Sequence, residues 1–450
     1  MHVSNYNEIV QLNSDLYVVA NLLSGAVDVV PRIVVKLLND LQDFGDSSSL
    51  GKEQLIETLK ERGYIFESVE EEELEFARLG KIHANFFSNC VPLSFKLIFS
   101  YNCNLRCVYC FQKAVQSQYP QMSKDRLEKA FDAMMYLDNN TDEDRPRPNI
   151  SVFGGEPLLE ENRYLIENTY ELANKAGFVP GSILTNGLLL KEFVPLLEEK
   201  CVKQIQVGLD GPREVHDQRR PTATGGSSFD RIAEGIDEAL DSGISVTARV
   251  HVDDQNIDSL PRLASWIKMK GWSAKSTFQA YVAPVDGHKC SLNKPNLVNP
   301  MLLAKILDNL NTHKEMSILK LTGWEPLDYF IPMVKSSRPT IPRFVHCDAF
   351  TGNTFYFDNS GDVYICIECC GYPTKAVGSF IPGLHFNERY VEWRDRNIAM
   401  IPQCSSCSIA LICGGGCGFS ALERSGTIMQ PDCGGARECL KLYMKHEFAE

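Results

Sequence analysis

The chain predicts an α/β protein built on a partial barrel of six β-α units, with a small α+β unit before it and a cysteine-rich region after it. Three observations carry this. Between residues 94 and 285, apolar β-rich runs alternate six times with helical patterns, which signals a parallel sheet covered by helices. Six units fall short of the eight that close a barrel. The cysteines are unevenly placed, since of sixteen in the chain three lie at 103–110 and ten between 347 and 439. At 450 residues the chain also exceeds one ordinary core, so roughly two or three domains are expected.

Residues 1–90 read as the α+β unit. Residues 16–30 carry two β-rich runs around Ser24-Gly25, a hairpin signal. Residues 33–41 and 52–62 have apolar side chains at helical spacing, and Gly63 stands where a left-handed cap is wanted. Residues 64–66 read as another strand, followed by an acidic helix over 70–87.

Residues 91–285 hold the barrel. Its strands are expected at 94–100, 149–153, 182–185, 203–209, 244–251 and 275–282. Helical patterns fill the gaps; Phe229, Ile232, Ala233, Ile236, Ala239 and Leu240, for example, recur at three and four residues and make one buried face. Residues 286–344, rich in Pro, Asn and Lys with helical stretches near 302–310 and 327–334, read as a bridge. Residues 345–450 form the cysteine-rich domain.

Lys plus Arg number 45 against 58 Asp plus Glu, a net charge of −13. That balance opposes nucleic-acid and acidic-membrane binding. No apolar run approaches the roughly 18 residues of a membrane span, and the N-terminus lacks a signal-peptide pattern. A cytoplasmic protein is expected. In that reducing compartment clustered cysteines point to metal rather than disulfides. Cys90, Cys201 and Cys290 stand alone and read as ordinary buried thiols, as does Cys439 as a plain thiol on a helical tail.

Directly after the first barrel strand come Cys103, Cys107 and Cys110, at CxxxCxxC spacing. Three thiolates can hold three irons of a four-iron cube, leaving one iron open to a substrate or cofactor. With Tyr109 at the aromatic position, the motif resembles that of the radical S-adenosylmethionine (SAM) superfamily, whose core is a six-unit partial barrel. The resemblance implies that SAM chelates the open iron and that one electron then releases a 5′-deoxyadenosyl radical. Gly154-Gly155-Glu156-Pro157 follows the second strand, where two glycines let backbone approach a ligand; it resembles the family's contact to the SAM amino group. Thr185-Asn186-Gly187 and Gly208-Leu209-Asp210-Gly211 end the third and fourth strands, matching family positions near SAM. The family often has Ser where this chain has Gly208. Arg220, in a pattern resembling HDxxR, is a candidate for the SAM carboxylate.

In the C-terminal region Gly361 precedes Cys366 by five positions, and Cys404, Cys407, Cys413 and Cys417 follow as CxxC, five residues, Cys, three residues, Cys. With Cys347 and Cys433 this resembles the seven-cysteine SPASM domain. The resemblance implies two auxiliary [4Fe-4S] clusters, hence three in all. Cys347, Cys366 and Cys417 would serve the first, with Cys369, Cys370 or a substrate thiolate as its fourth ligand and Cys369 favoured. Cys404, Cys407, Cys413 and Cys433 would close the second.

The order of elements in residues 1–90 resembles the winged-helix domain that binds a precursor peptide in front of many peptide-modifying radical SAM enzymes, adding the peptide as a strand to a sheet edge. The acidic run Glu70-Glu71-Glu72-Glu73 argues against the DNA-binding use of such a domain, since phosphate contacts need Lys and Arg. The expected function is therefore maturation of a ribosomally made peptide, by a thioether or carbon–carbon cross-link, with a flavodoxin- or ferredoxin-type reductant. A sulfatase-maturase-like protein oxidase and a peptide epimerase are the alternatives. In the sulfatase branch an Asp base follows the Cys of the GxxxxC element; here Ile367 does, and Glu368 is the candidate base. Outside the enzyme class the rival is a metal-binding winged-helix regulator.

Overall fold

The computed structural model describes residues 1–39, 50–115, 120–141, 144–285, 300–336 and 341–448. At the N-terminus, β1 (His2–Val3) precedes an antiparallel sheet of β2 (Asn7–Gln11), β3 (Leu16–Asn21) and β4 (Val27–Pro31). Helices α1 (Arg32–Asn39) and α2 (Leu50–Glu61) follow, then β5 (Ile65–Phe66), which pairs with β1, and α3 (Val69–Asn89). Gly63 takes the left-handed φ of 76° between α2 and β5. Alternation along β3 explains how the unit sits. Val19 packs with Val34, Leu37, Leu38 and Leu59 of the local helices, while Val18 and Ala20 face the main core. With both faces of its sheet covered, the unit is built into the body of the molecule.

The six expected barrel strands are all present: β6 (Ser94–Ile98), β7 (Asn149–Phe153), β8 (Val179–Thr185), β9 (Gln204–Gly208), β10 (Ser245–Val252) and β11 (Phe278–Pro284). They lie side by side in chain order, each pair parallel. Between them run α4 (Lys124–Asn139), α5 (Arg163–Ala176), α6 (Leu190–Glu199), α7 (Arg213–Arg219), α8 (Phe229–Asp241) and α9 (Leu260–Met269). On α8 the six residues of the expected face are all buried.

The sheet runs on past both ends of the barrel. The bridging segment contains α10 (Pro300–Thr312), α11 (Leu327–Lys335) and, between them, β12 (Leu319–Leu321), a further parallel strand beside β11. At the other edge, β13 (Thr354–Phe357) pairs parallel with β6 and antiparallel with β14 (Asp362–Tyr364). The sheet then ends in β15 (Gly378–Ser379) and β16 (His385–Phe386). The cysteine-rich domain thus begins as a continuation of the barrel sheet. Its helices are α12 (Glu388–Asp395), α13 (Ala410–Cys413), α14 (Gly418–Ser425) and α15 (Ala436–Phe448), the last packing against β2.

Two expectations of burial fail. Cys90 and Cys201 are exposed, because each follows the last turn of a helix where the chain turns out to solvent, Cys201 with a φ of 58°. Cys290 lies outside the described residues. Cys439 is fully buried on α15.

Candidate functional site

The C-terminal ends of β6 to β10 supply the site, as expected of parallel β-α units. After β6 the chain enters the cysteine loop, which is stitched to residues 219–223 beyond α7. Arg106 N donates to Pro221 O at 2.8 Å, Val108 N to Arg219 O at 3.0 Å and Ala223 N to Asn104 O at 2.8 Å. Burial pushes the Cys103 thiol up to about 12 and raises Cys107 and Cys110 as well, with the Arg220 charge opposing the rise at Cys107. Metal ligation would take the protons of these thiols.

The turn after β7 is docked on the same loop. A Cβ at Gly155 would stand 2.2 Å from Asn102 O and 2.4 Å from Tyr101 O, so only glycine permits the approach. Gly155 N and Glu156 N donate to Ser100 O and Asn102 O at 3.2 and 2.8 Å. The buried Glu156 carboxylate accepts from Thr185 Oγ1 at 2.6 Å, Asn186 N at 2.6 Å and Leu158 N at 2.8 Å. Burial still raises its pKa to about 7 against those bonds. Its side chain therefore ties the end of β8 to this turn, and the turn's backbone is what remains to meet a ligand. Asn186 reaches back in turn, its Nδ2 donating to Asn104 Oδ1 at 2.7 Å and to Cys103 Sγ at 3.5 Å.

On the other side of the loop Tyr109 points inward. Its hydroxyl is hydrogen-bonded to Asp210 Oδ2 and receives a bond from Arg220 Nη1 at 2.7 Å. Its ring lies against His251, with centroids 4.8 Å apart, and under the Arg219 guanidinium at 5.2 Å. Burial alone would raise Asp210; the His251 hydrogen bond and the charges of Arg220 and Arg219 outweigh it and hold the carboxylate well below its ordinary range. Arg220 has the reverse balance, with burial opposing and Cys107, Tyr109 and Asp210 keeping it charged. Arg220 Nε is buried without a hydrogen-bond partner. The absence of a side chain at 208 is explained by packing, since a Cβ there would lie 2.5 Å from the Arg220 guanidinium.

These features fit the group the cysteine motif implies. Three soft sulfurs are flanked by a fixed amide donor and a buried cation, both of which favour anionic sulfur. Among the described residues no three His, Cys, Asp or Glu side chains converge as the shell of one ion would, with sulfur about 2.3 Å from the metal.

The C-terminal cysteines gather into two groups. Beside Cys347, whose pKa burial raises first, lie Cys366 and Cys417, and the Cys366 thiol is hydrogen-bonded to that of Cys369. Cys370 instead donates to Cys366 O at 3.5 Å. Glu368 sits on the short turn Ile367–Cys369 beside Cys366 and Cys370. In the second group Cys404 is raised to about 11 by burial with Cys407 and Cys433 beside it, and Cys413 to about 12 by burial with Cys433 and Cys404 near. Glycines 414, 415 and 416, at φ 66°, 83° and 74°, thread the link between the groups. A Cβ on Gly416 would meet Asp432 O at 2.0 Å.

Arg219, Arg249, His251 and Asp253 enter the site unannounced by any motif. Arg249 and His251 alternate along β10 with buried Ala248, Val250 and Val252, and polar residues alternating at the C-terminal end of a barrel strand were the available signal. A cavity of about 470 Å³, lined by Lys203, Ser245, Thr277 and Lys320 among others, opens at the opposite, N-terminal ends of β9 to β11. The chemistry-bearing residues all lie at the other end, which is where we place the site.

A family model described as the radical SAM superfamily matches residues 97–267. Residues 97–267 are thus a radical SAM domain. Such a domain implies SAM and a [4Fe-4S] cluster in this radical SAM enzyme. GTP 3′,8-cyclases of Peptoclostridium acidaminophilum and Campylobacter jejuni subsp. doylei are 29% and 28% identical over 146 and 169 residues, which is 32% and 37% of this chain and 41% and 50% of theirs. The chain thus spans at most about half the length of these relatives. Among solved structures, anSMEcpe with bound AdoMet is similar at a TM-score of 0.58 and 17% identity, over 80% of this chain and 93% of its own. SuiB of Streptococcus suis is similar at 0.52 and 16%, over 96% and 98%. SuiB has also been solved bound to the precursor peptide SuiA, and anSMEcpe with the Cp18Cys peptide. Both likenesses support the radical SAM fold with a cysteine-rich extension. No helix among the described residues is long and apolar enough to cross a membrane.

Proposed function

We propose that this radical SAM enzyme matures a ribosomally made precursor peptide, oxidising it to form a thioether or carbon–carbon cross-link. The observation that carries the reading is the extent of the likeness to SuiB, which takes in the N-terminal unit and the cysteine-rich domain along with the barrel. Cys103, Cys107 and Cys110 hold the cluster, Asn186 donates to Cys103, and the Gly154-Gly155 turn with Arg220 receives the amino and carboxylate ends of SAM. Bound there, cluster and SAM supply reductive cleavage of a carbon–sulfur bond and hydrogen-atom abstraction from the substrate. Cys347, Cys366, Cys369 and Cys417 hold one auxiliary cluster, and Cys404, Cys407, Cys413 and Cys433 the other. The peptide adds to the outer edge of β4, which pairs only with β3 among the described strands. A flavodoxin- or ferredoxin-type protein delivers electrons in the cytoplasm.

The higher TM-score of anSMEcpe supports a second reading, oxidation of a protein substrate of the sulfatase kind. Against it stands Ile367 beside Cys366, where that branch carries its Asp base. The test is anaerobic reconstitution with a candidate peptide. Wild type should form 5′-deoxyadenosine and remove a hydrogen pair from the peptide. Cys107→Ala should do neither, while Cys404→Ala should still cleave SAM without yielding product. A protein that binds zinc alone, or makes no 5′-deoxyadenosine with strong reductant, would overturn the proposal.

A further inference from the structure

Arg396 closes α12 and is 0% exposed. Its Nε donates to Ile428 O at 2.5 Å, and its Nη2 to Gly415 O at 2.8 Å and Gln430 O at 3.3 Å. The guanidinium stacks over Phe350, 4.8 Å from the ring centroid. Its Nη1 is buried with no hydrogen-bond partner. All three hydrogen bonds go to neutral carbonyls, and the groups acting on its charge are Cys347, Cys417, Cys404 and Cys413. Two of these belong to each auxiliary group. Anchorage explains the placement, because Gly415 lies midway between Cys413 and Cys417 and Phe350 three residues after Cys347.

A buried cation needs an anion or it is costly to keep. The neighbouring groups that can supply it are the sulfurs of Cys347, Cys417, Cys404 and Cys413. They become anionic only when they ligate metal and lose their protons. An electron added to a thiolate-ligated cluster makes it more negative still, and a fixed positive charge nearby stabilises that state.

We infer that Arg396 is a countercharge shared by the two auxiliary cysteine groups, positioned to raise the reduction potentials of both clusters. This rests on the reading of those groups as cluster sites. Arg396 acts through the clusters and is a positioning residue.

The test compares reconstituted wild type with Arg396→Gln, which keeps amide donors for the carbonyls and removes the charge. Iron and sulfide are counted, and potentials are followed by spectroscopic redox titration. Wild type should hold about twelve irons, three clusters of four. The Gln variant should load equally and cleave SAM at the wild-type rate. Its auxiliary potentials should move negative by at least ~59 mV, a tenfold change for one electron. Equal loading with unmoved potentials overturns the inference. A wild type holding only about four irons overturns the auxiliary-cluster reading first, and this inference with it. Should Arg396→Gln not fold, Arg396→Lys decides. It keeps the charge and loses the planar fork, so wild-type potentials support the countercharge and a negative shift refutes it.

Discussion

Arg437, on the last helix, forms an ion pair with Glu8 on a strand at the opposite end of the chain, and its other nitrogen donates to Cys407 Sγ at 3.5 Å. Glu8 is 3% exposed and also accepts from Ser408, the residue after Cys407. The N-terminal unit is thus wired to the loop of Cys407 through one carboxylate. Arg437→Leu leaves Glu8 with a hydroxyl partner alone, at a cost of about 1–3 kcal/mol. Limited proteolysis should then cut within residues 1–90 sooner than in wild type, and peptide modification should slow more than SAM cleavage.

Gly208→Ser restores the residue common in the family and should weaken the enzyme. The new side chain meets the Arg220 guanidinium and pushes it off the Tyr109 hydroxyl. SAM affinity should fall at least about tenfold, a loss of about 1.4 kcal/mol, as read by equilibrium binding to the reconstituted protein. Adding Arg220→Met to Gly208→Ser should weaken binding little further, because the two changes remove one interaction.

Asn186→Ala removes the donor to Cys103 Sγ, the bond to Asn104 and the acceptor for Leu188 N. Formation of 5′-deoxyadenosine should slow about tenfold, in line with the roughly 1–2 kcal/mol of such bonds. Asn186→Asp keeps the Leu188 contact but sets a negative charge beside the sulfur. It should lower the cluster's potential and slow the reaction more than Ala does.

His83, on α3, is buried against Phe87 and Phe344. Burial, with Arg343 adding to it, lowers its pKa from 6.5 to about 4. Between those values the unfolded chain takes up a proton that the folded chain refuses, so acidification favours unfolding. Stability from this group is whole above 6.5 and is lost as pH falls toward 4. The loss is at most about 3 kcal/mol. Urea unfolding across this range should show a shallower slope for His83→Gln than for wild type.

The six barrel strands were legible because each carries buried apolar residues and alternates with a helical pattern, and their limits shift by three residues or fewer, as where 275–282 became Phe278–Pro284. Strand β12 was missed because three residues carry no periodicity, and β13 because Thr354–Phe357 is buried throughout and alternates in nothing. Such strands exist through their partners. In the site, cysteine spacing and paired glycines identified the loops. The meeting of Tyr109 with Asp210, 101 residues apart, is a property of the closed fold that no local pattern encodes. Likewise nothing in residues 388–397 marks Arg396 as buried.

The hydrogen bonds from β13 to β6 mean that the strand leading into the cysteine loop has no bare edge. A chain cut after the bridge would expose the full length of β6 as a template for another molecule, so the truncated barrel would self-associate before it could hold a cofactor. The barrel and the cysteine-rich domain are accordingly one piece of β-sheet, and removing the second strips an edge of the first.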